Sequence, residues 1–154
     1  MLDSQTLKKA IIADLRVELA DEFDRNFQRK AFFSERWLPR RDKKARGSLL
    51  IVSGALRRSI EAHETATGVR FTSQVPYATV HNEGGTGYVT VREHQRRHRA
   101  TKKTYRVSTY QRRQSVPQRQ FVGNSPEVRA IVRSVCEQNL EDYAKQLTQY
   151  LRRK

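Results

Sequence analysis

His94 and His98 stand four residues apart, a spacing that on a helix places two imidazoles on one face for a metal ion. Their surroundings read instead as strand and basic loop. No cysteine or carboxylate completes a ligand set, and the nearest acid, Glu93, sits among arginines that repel a cation. Both histidines are expected to face solvent or phosphate, and His63 to lie on a strand surface. His81 has Glu83 nearby but no nucleophile motif to serve, so it is expected to pack and hydrogen-bond to fix a turn. Cys136, the single cysteine, falls in the apolar half of a helix and reads as a small core residue. Gly84-Gly85-Thr86-Gly87 lacks the lysine and hydroxyl residue of a P-loop and the strand-glycine-helix order of a dinucleotide site. It reads as a flexible hinge. No cofactor and no enzymatic activity are expected.

Charge is the stronger signal. The 154 residues carry a formal net charge of +15, with 31% charged and 36% hydrophobic side chains. Residues 3–31 hold six basic and six acidic groups and sum to zero. Residues 36–46 hold six basic and one acidic, and residues 86–120 hold ten basic and one acidic. Those two segments account for fourteen of the fifteen net charges. A localised excess of this kind implies a partner with a negative surface, either DNA or an acidic protein subunit. The expected contacts are Arg92, Arg96, Arg97, Arg99, Lys102, Lys103 and Arg106 in the second segment, and Arg40, Arg41, Lys43, Lys44 and Arg46 in the first. Tyr88, Tyr105 and Tyr110 are placed to stack on bases or to line a subunit contact.

The elements that must position these residues follow from periodicity. Leu7, Ile11, Leu15, Leu19, Phe23 and Phe27 recur every four residues and predict a helix over 4–31, roughly 40 Å long. A helix of that length in so small a chain is expected to project at one end and pack on a neighbour. Residues 32–48 read as an irregular basic loop in which Trp37 packs the chain onto the body. Leu49 to Ser53 predicts a helical turn ended by Gly54, followed by a strand from Ala55 to Thr65. Gly68 turns the chain into a returning strand, Val69 to Val75. Tyr77 to Glu83 predicts a helical turn ended at Gly84. Tyr88 to Glu93 and Thr104 to Tyr110 predict a second hairpin with a tip near Arg96 to Lys103, each arm reaching roughly 25 Å. Ser125, Pro126 and Glu127 open a last helix whose apolar face runs from Val128 to Leu151. The class is α+β: a long N-terminal helix, a small antiparallel sheet built from hairpins, a C-terminal helix and a protruding basic β-hairpin. One domain over 1–154 is expected, with the basic hairpin as an insertion at about 86–116. The lone cysteine makes no internal disulfide, no apolar run is long enough to span a bilayer, and the first residues lack a signal peptide's apolar core. A soluble intracellular product without membrane contact is the expectation.

One gapped pattern runs through these elements. It comprises Trp37-Leu38-Pro39, Leu50, Ser53-Gly54-Ala55-Leu56-Arg57-Arg58-Ser59-Ile60, Tyr77-Ala78-Thr79-Val80-His81-Asn82-Glu83-Gly84 and Pro117-Gln118-Arg119-Gln120-Phe121-Val122-Gly123. In order and spacing it resembles the virion-morphogenesis, or tail-completion, proteins of tailed bacteriophages. The resemblance implies a structural role for Trp37, Pro39, Gly54, Leu56, Tyr77, His81, Gly84, Pro117, Arg119, Phe121 and Gly123. It further implies an assembly protein in the tail or neck of the virion, built in the host cytoplasm. There it forms a ring, commonly six-fold, and meets neck, connector or tail proteins, its basic loop and long hairpin reaching either adjoining subunits or the genomic DNA of the channel. Two departures stand out. Ser53 occupies a position that is usually threonine, and the stretch from Gly84 to Pro117 is unusually basic, so no family role carries onto it. A nucleic-acid-binding module using a basic hairpin is the alternative; a small nuclease is disfavoured, since no acid cluster for a metal is visible.

Overall fold

The structure is a computed structural model that describes residues 3–40, 42, 44 and 46–153. Its first element, α1 (Ser4–Arg29), begins where the Asp3 carboxylate accepts from the Thr6 N–H at 2.6 Å. It ends where Lys30 adopts a left-handed conformation and donates its N–H to Asn26 O. Its buried face is Ile12, Leu15, Leu19, Phe23, Asn26 and Phe27, which begins a turn and a half after the predicted stripe. Leu7 and Ile11 are only half-buried. A two-residue hairpin, β1 (Ala31–Phe32) with β2 (Glu35–Arg36), then reverses the chain and delivers Trp37 to the core.

Residues 55–58 form a short helix, α2 (Ala55–Arg58), rather than the start of a strand. Gly54, at φ +69°, begins this helix instead of ending one before it. The strand proper is β3 (Ile60–Thr65), paired antiparallel with β4 (Gly68–Ser73) from Ile60↔Ser73 to Thr65↔Gly68. After Pro76 comes α3 (Ala78–Glu83), stopped at Gly84 as expected.

The basic hairpin is longer than predicted and differently registered. Its root is β5 (Gly85–Val91) paired with β8 (Tyr110–Val116), and its distal part is β6 (His94–Arg97) paired with β7 (Thr104–Val107). Tyr88 therefore lies opposite Arg113, and residues 111–116, outside the predicted hairpin arms, belong to a strand. The fold is α+β, with four separate antiparallel pairs among the described residues in place of one small sheet. The last element is α4 (Pro126–Arg152), capped by Ser125 Oγ accepting from Val128 N at 3.2 Å.

Two adjoining apolar clusters hold these elements together. Phe27, Trp37, Leu56, Ala78 and Phe121 form one; Leu19, Phe23, Phe32 and Val128 form the other; Val122 packs on both. Helix α4 runs antiparallel to α1, with Val128 beside Phe23 and Asn139 bonded to Asp14 at 2.8 Å. Only Val128 of its predicted apolar face is buried; Leu140, Leu147 and Leu151 are 51%, 39% and 63% exposed. Among the described residues no helix is long and apolar enough to cross a membrane.

Candidate functional site: a socket and the basic arm it holds

The strands β5 and β8 leave the body at Gly84 and return at Pro117, so the arm has one root. Every piece of the gapped pattern packs at or near that root. The Arg119 N–H donates to His81 O at 2.8 Å, tying the incoming strand to α3. Asn82 Oδ1 accepts from Phe121 N at 3.0 Å and from Val122 N at 3.1 Å. Trp37, buried as expected, donates its indole N–H to Gln120 O at 2.6 Å. Asn26, wholly buried on α1, donates to Phe121 O at 3.2 Å and accepts from Phe33 N at 3.0 Å. The stretch 117–123 thus satisfies its backbone through side chains of three other segments. The pattern is a socket that fixes the arm to the core.

Arg119 is buried, although the sequence counts it with the basic segment. Its guanidinium donates to Leu38 O at 3.0 Å and Pro39 O at 3.4 Å, pinning the Trp37-Leu38-Pro39 strip. No carboxylate pairs with it among the described residues. Burial, and then repulsion from Arg40, lower its pKa.

His81 does not fix its turn by side-chain bonding as expected. Its main chain does so, while the buried Nδ1 has no hydrogen-bond partner among the described residues. The ring meets Tyr77 edge-on, with centroids 5.8 Å apart, and lines an open cleft with Arg40, Leu50, Tyr77 and Arg119. Burial first, and the charge of Arg119 second, hold its pKa below the ordinary 6.5. Folding therefore favours the neutral ring. As pH falls past about 6.5 the unfolded chain takes up the proton first, so this group's contribution is complete above that pH. It is lost as pH falls toward the depressed folded value. Urea denaturation at pH 8 and pH 5.5 should show a larger loss for the parent than for His81→Phe. Equal losses would mean the ring is solvated.

The arm is exposed on both faces, and neither of its strand pairs packs broadly on another element. Not all of its basic groups are available. Arg106 pairs with Glu93, and Arg97 Nε donates to Lys102 O at 3.1 Å. Arg92, Arg96, Arg99, Lys102 and Lys103 stand exposed, as do Arg112 and Arg113 of β8, which the sequence reading did not single out. Their signal was a basic pair in a polar stretch with no apolar alternation. In the first basic segment, Arg40 turns inward and donates to Arg46 O at 3.0 Å and Ser48 O at 2.6 Å, which removes it from the contact set. Lys44 and Arg46 are exposed, and Arg41 and Lys43 lie outside the described residues.

The two spaced histidines do not converge. His94 lies on β6, while His98 sits in the tip turn, where its Nδ1 accepts from Thr101 N at 3.2 Å. Among the described residues no three His, Cys, Asp or Glu side chains gather as a metal ion requires. His63 lies on exposed β3 beside Thr72, and Cys136 is half-buried.

The protein is an α+β body with a projecting arm rooted in one bonded socket. Matching the chain against protein families gives its identity: residues 2–141 match the phage virion morphogenesis family, and the chain belongs to that family. Comparison with curated proteins found no match, and comparison with solved structures found none. The family match ends before the last turns of α4, where the exposed leucines Leu147 and Leu151 lie.

Proposed function

We propose that this chain is a structural subunit of a ring that completes the phage tail or neck and joins it to the filled head. Membership of a virion morphogenesis family supports an assembly role. The observation that carries the ring is the uncovered apolar face at the arm's root. Opposed residues in an antiparallel pair share a face, so Val89, Val91, Tyr110 and Val116 lie on one side of the β5–β8 ribbon, with Arg112 and Gln114 between them. Val89, Tyr110 and nearby Val80 are each more than two-fifths exposed. A two-stranded ribbon has no core of its own and needs a surface to lie on. A neighbouring copy supplies one through a head-to-tail contact, which closes into a ring when the rotation between subunits allows. Neck, connector and tail proteins are the other neighbours this reading implies, in a virion assembled in the host cytoplasm.

Sedimentation velocity across concentration, alone and with purified neck or tail proteins, tests the proposal. The parent should form a defined multi-subunit species in at least one mixture, and Val89→Asp should reduce it to monomer. A monomeric parent in every mixture would sink the ring.

A further inference from the structure

We propose that the distal arm is a binding site for the phosphate backbone of duplex DNA, read without regard to sequence. Residues 86–116 hold nine basic groups and one acidic group, and that acid, Glu93, is already paired with Arg106. Arg92, Arg96, Arg99 and Lys103 meet no carboxylate among the described residues. A second copy of this chain does not balance them. Outside residues 36–46 and 86–116 the chain carries sixteen basic and fourteen acidic residues, close to neutral. Much of that acid is also engaged at home: Asp21, Glu22, Asp24 and Glu64 pair with arginines of their own body.

Composition separates DNA from an acidic protein. The centres of protein interfaces are rich in aromatic and aliphatic groups and poor in lysine. Between His94 and Val107 the large apolar side chains are Tyr105 and Val107 alone. The apolar groups sit at the root, on Val89, Tyr110 and Val80, so the arm divides into a root suited to protein and a distal part suited to phosphate.

The tip is a built turn. His98 N donates to Lys103 O at 2.8 Å and Lys102 N to His98 O at 2.9 Å, and these bonds hold the backbone while the side chains stand outward. From Gly85 to Arg97 the ribbon spans roughly 40 Å at ~3.3 Å per residue. A two-stranded ribbon fits the major groove, which is about 12 Å wide. Arginine supplies paired donors to phosphate oxygens, and contacts to phosphate carry no sequence information. None of this depends on the chain forming a ring.

The test measures binding of the full-length protein to fluorescent ~30-base-pair duplexes of unrelated sequence across a salt series. Affinity should fall steeply with salt and differ little between sequences. Each lost phosphate contact removes about 0.9 from the slope of log K against log salt, so Arg96→Gln/Arg99→Gln/Lys103→Gln should flatten it by up to about 2.7. Lys8→Gln/Lys9→Gln, an equally exposed pair on α1, should leave the slope unchanged. Bound duplex should also shield the parent from trypsin at residues 96–103, a readout that needs no variant. Absent binding at low salt, an unchanged slope in the triple variant, or strong sequence preference would each overturn the proposal. So would loss of infectious particles on complementation with the triple variant when the parent has no DNA affinity; that result assigns the arm to an acidic protein. A DNA-binding monomer would retire the ring and leave this site standing.

Discussion

Phe27→Ala is expected to lower the free energy of unfolding by about 3–5 kcal/mol. Phe27 is wholly buried, and its ring lies 5.7 Å from that of Trp37 and 5.1 Å from that of Phe121. Removing it deletes a side chain that joins α1 to both the tryptophan strip and the 117–123 stretch. The gap cannot close easily, because its walls are themselves pinned. Trp37 is bonded to Gln120 O, and the backbone of Phe121 to Asn82 and Asn26. Urea denaturation gives the measurement, with Val17→Ala as the reference. Val17 is 59% exposed on the same helix and should change stability by no more than about 0.5 kcal/mol. A Phe27→Ala loss no larger than that of Val17→Ala would mean the first apolar cluster does not form in solution.

The same contrast explains what was legible in the sequence. The four-residue repeat of α1 and the cap Ser125-Pro126 of α4 were readable because each is a local pattern with one physical solution. The burial of α4 was not, since periodicity reports that an apolar face exists and not whether a neighbour covers it. Asn139 lies beside Asp14, yet Leu140 and Leu147, which follow it along α1, stay 51% and 39% exposed. The strand predicted over 55–65 failed at its start for a related reason. Ala55-Leu56-Arg57-Arg58 has good helix formers, and Gly54 supplies the left-handed entry that lets them turn.

Register was the largest miss. Gln111-Arg112-Arg113-Gln114 shows no alternation, so nothing in it announced a strand, and the Thr, Val and Tyr residues of 104–110 took its place in the predicted pairing. The ladder of β5 with β8 is made by backbone groups, which polar side chains permit as readily as apolar ones. The gapped pattern contains Trp37, Gly84 and Arg119, which meet at the socket. Asn26 and Asn82 completed it unseen: a buried asparagine looks like any surface asparagine until its partners, 95 and 39 residues away in sequence, are known.

Gly84→Ala should be the most damaging single change at the root of the arm, costing about 2–6 kcal/mol from two independent sources. The first is the backbone. Gly84 sits at φ +74°, ψ 173°, a region that only glycine occupies without strain, and forcing another residue there costs about 1–3 kcal/mol. The second is space. A Cβ on Gly84 would lie 2.9 Å from Gln118 N and 3.1 Å from Gln118 Cα. These are main-chain atoms that no rotamer change can move, and overpacking of this kind costs about 1–3 kcal/mol more. Relief requires the 117–119 segment to shift, which pulls the Arg119 N–H from His81 O and the Arg119 side chain from Leu38 and Pro39. Damage at one glycine therefore spreads to α3, the tryptophan strip and the exit of β8 together. The control lies three residues on. Gly87 has no atom within 4 Å of a built Cβ and no positive φ, so Gly87→Ala should leave the melting temperature and the urea midpoint close to the parent's. The two glycines belong to one run that reads in sequence as a flexible hinge. Equal, small effects of both substitutions would restore that reading and remove the rigid socket. A large loss at Gly84 beside a neutral Gly87 shows instead that the root of the arm is a tightly packed junction and not a hinge.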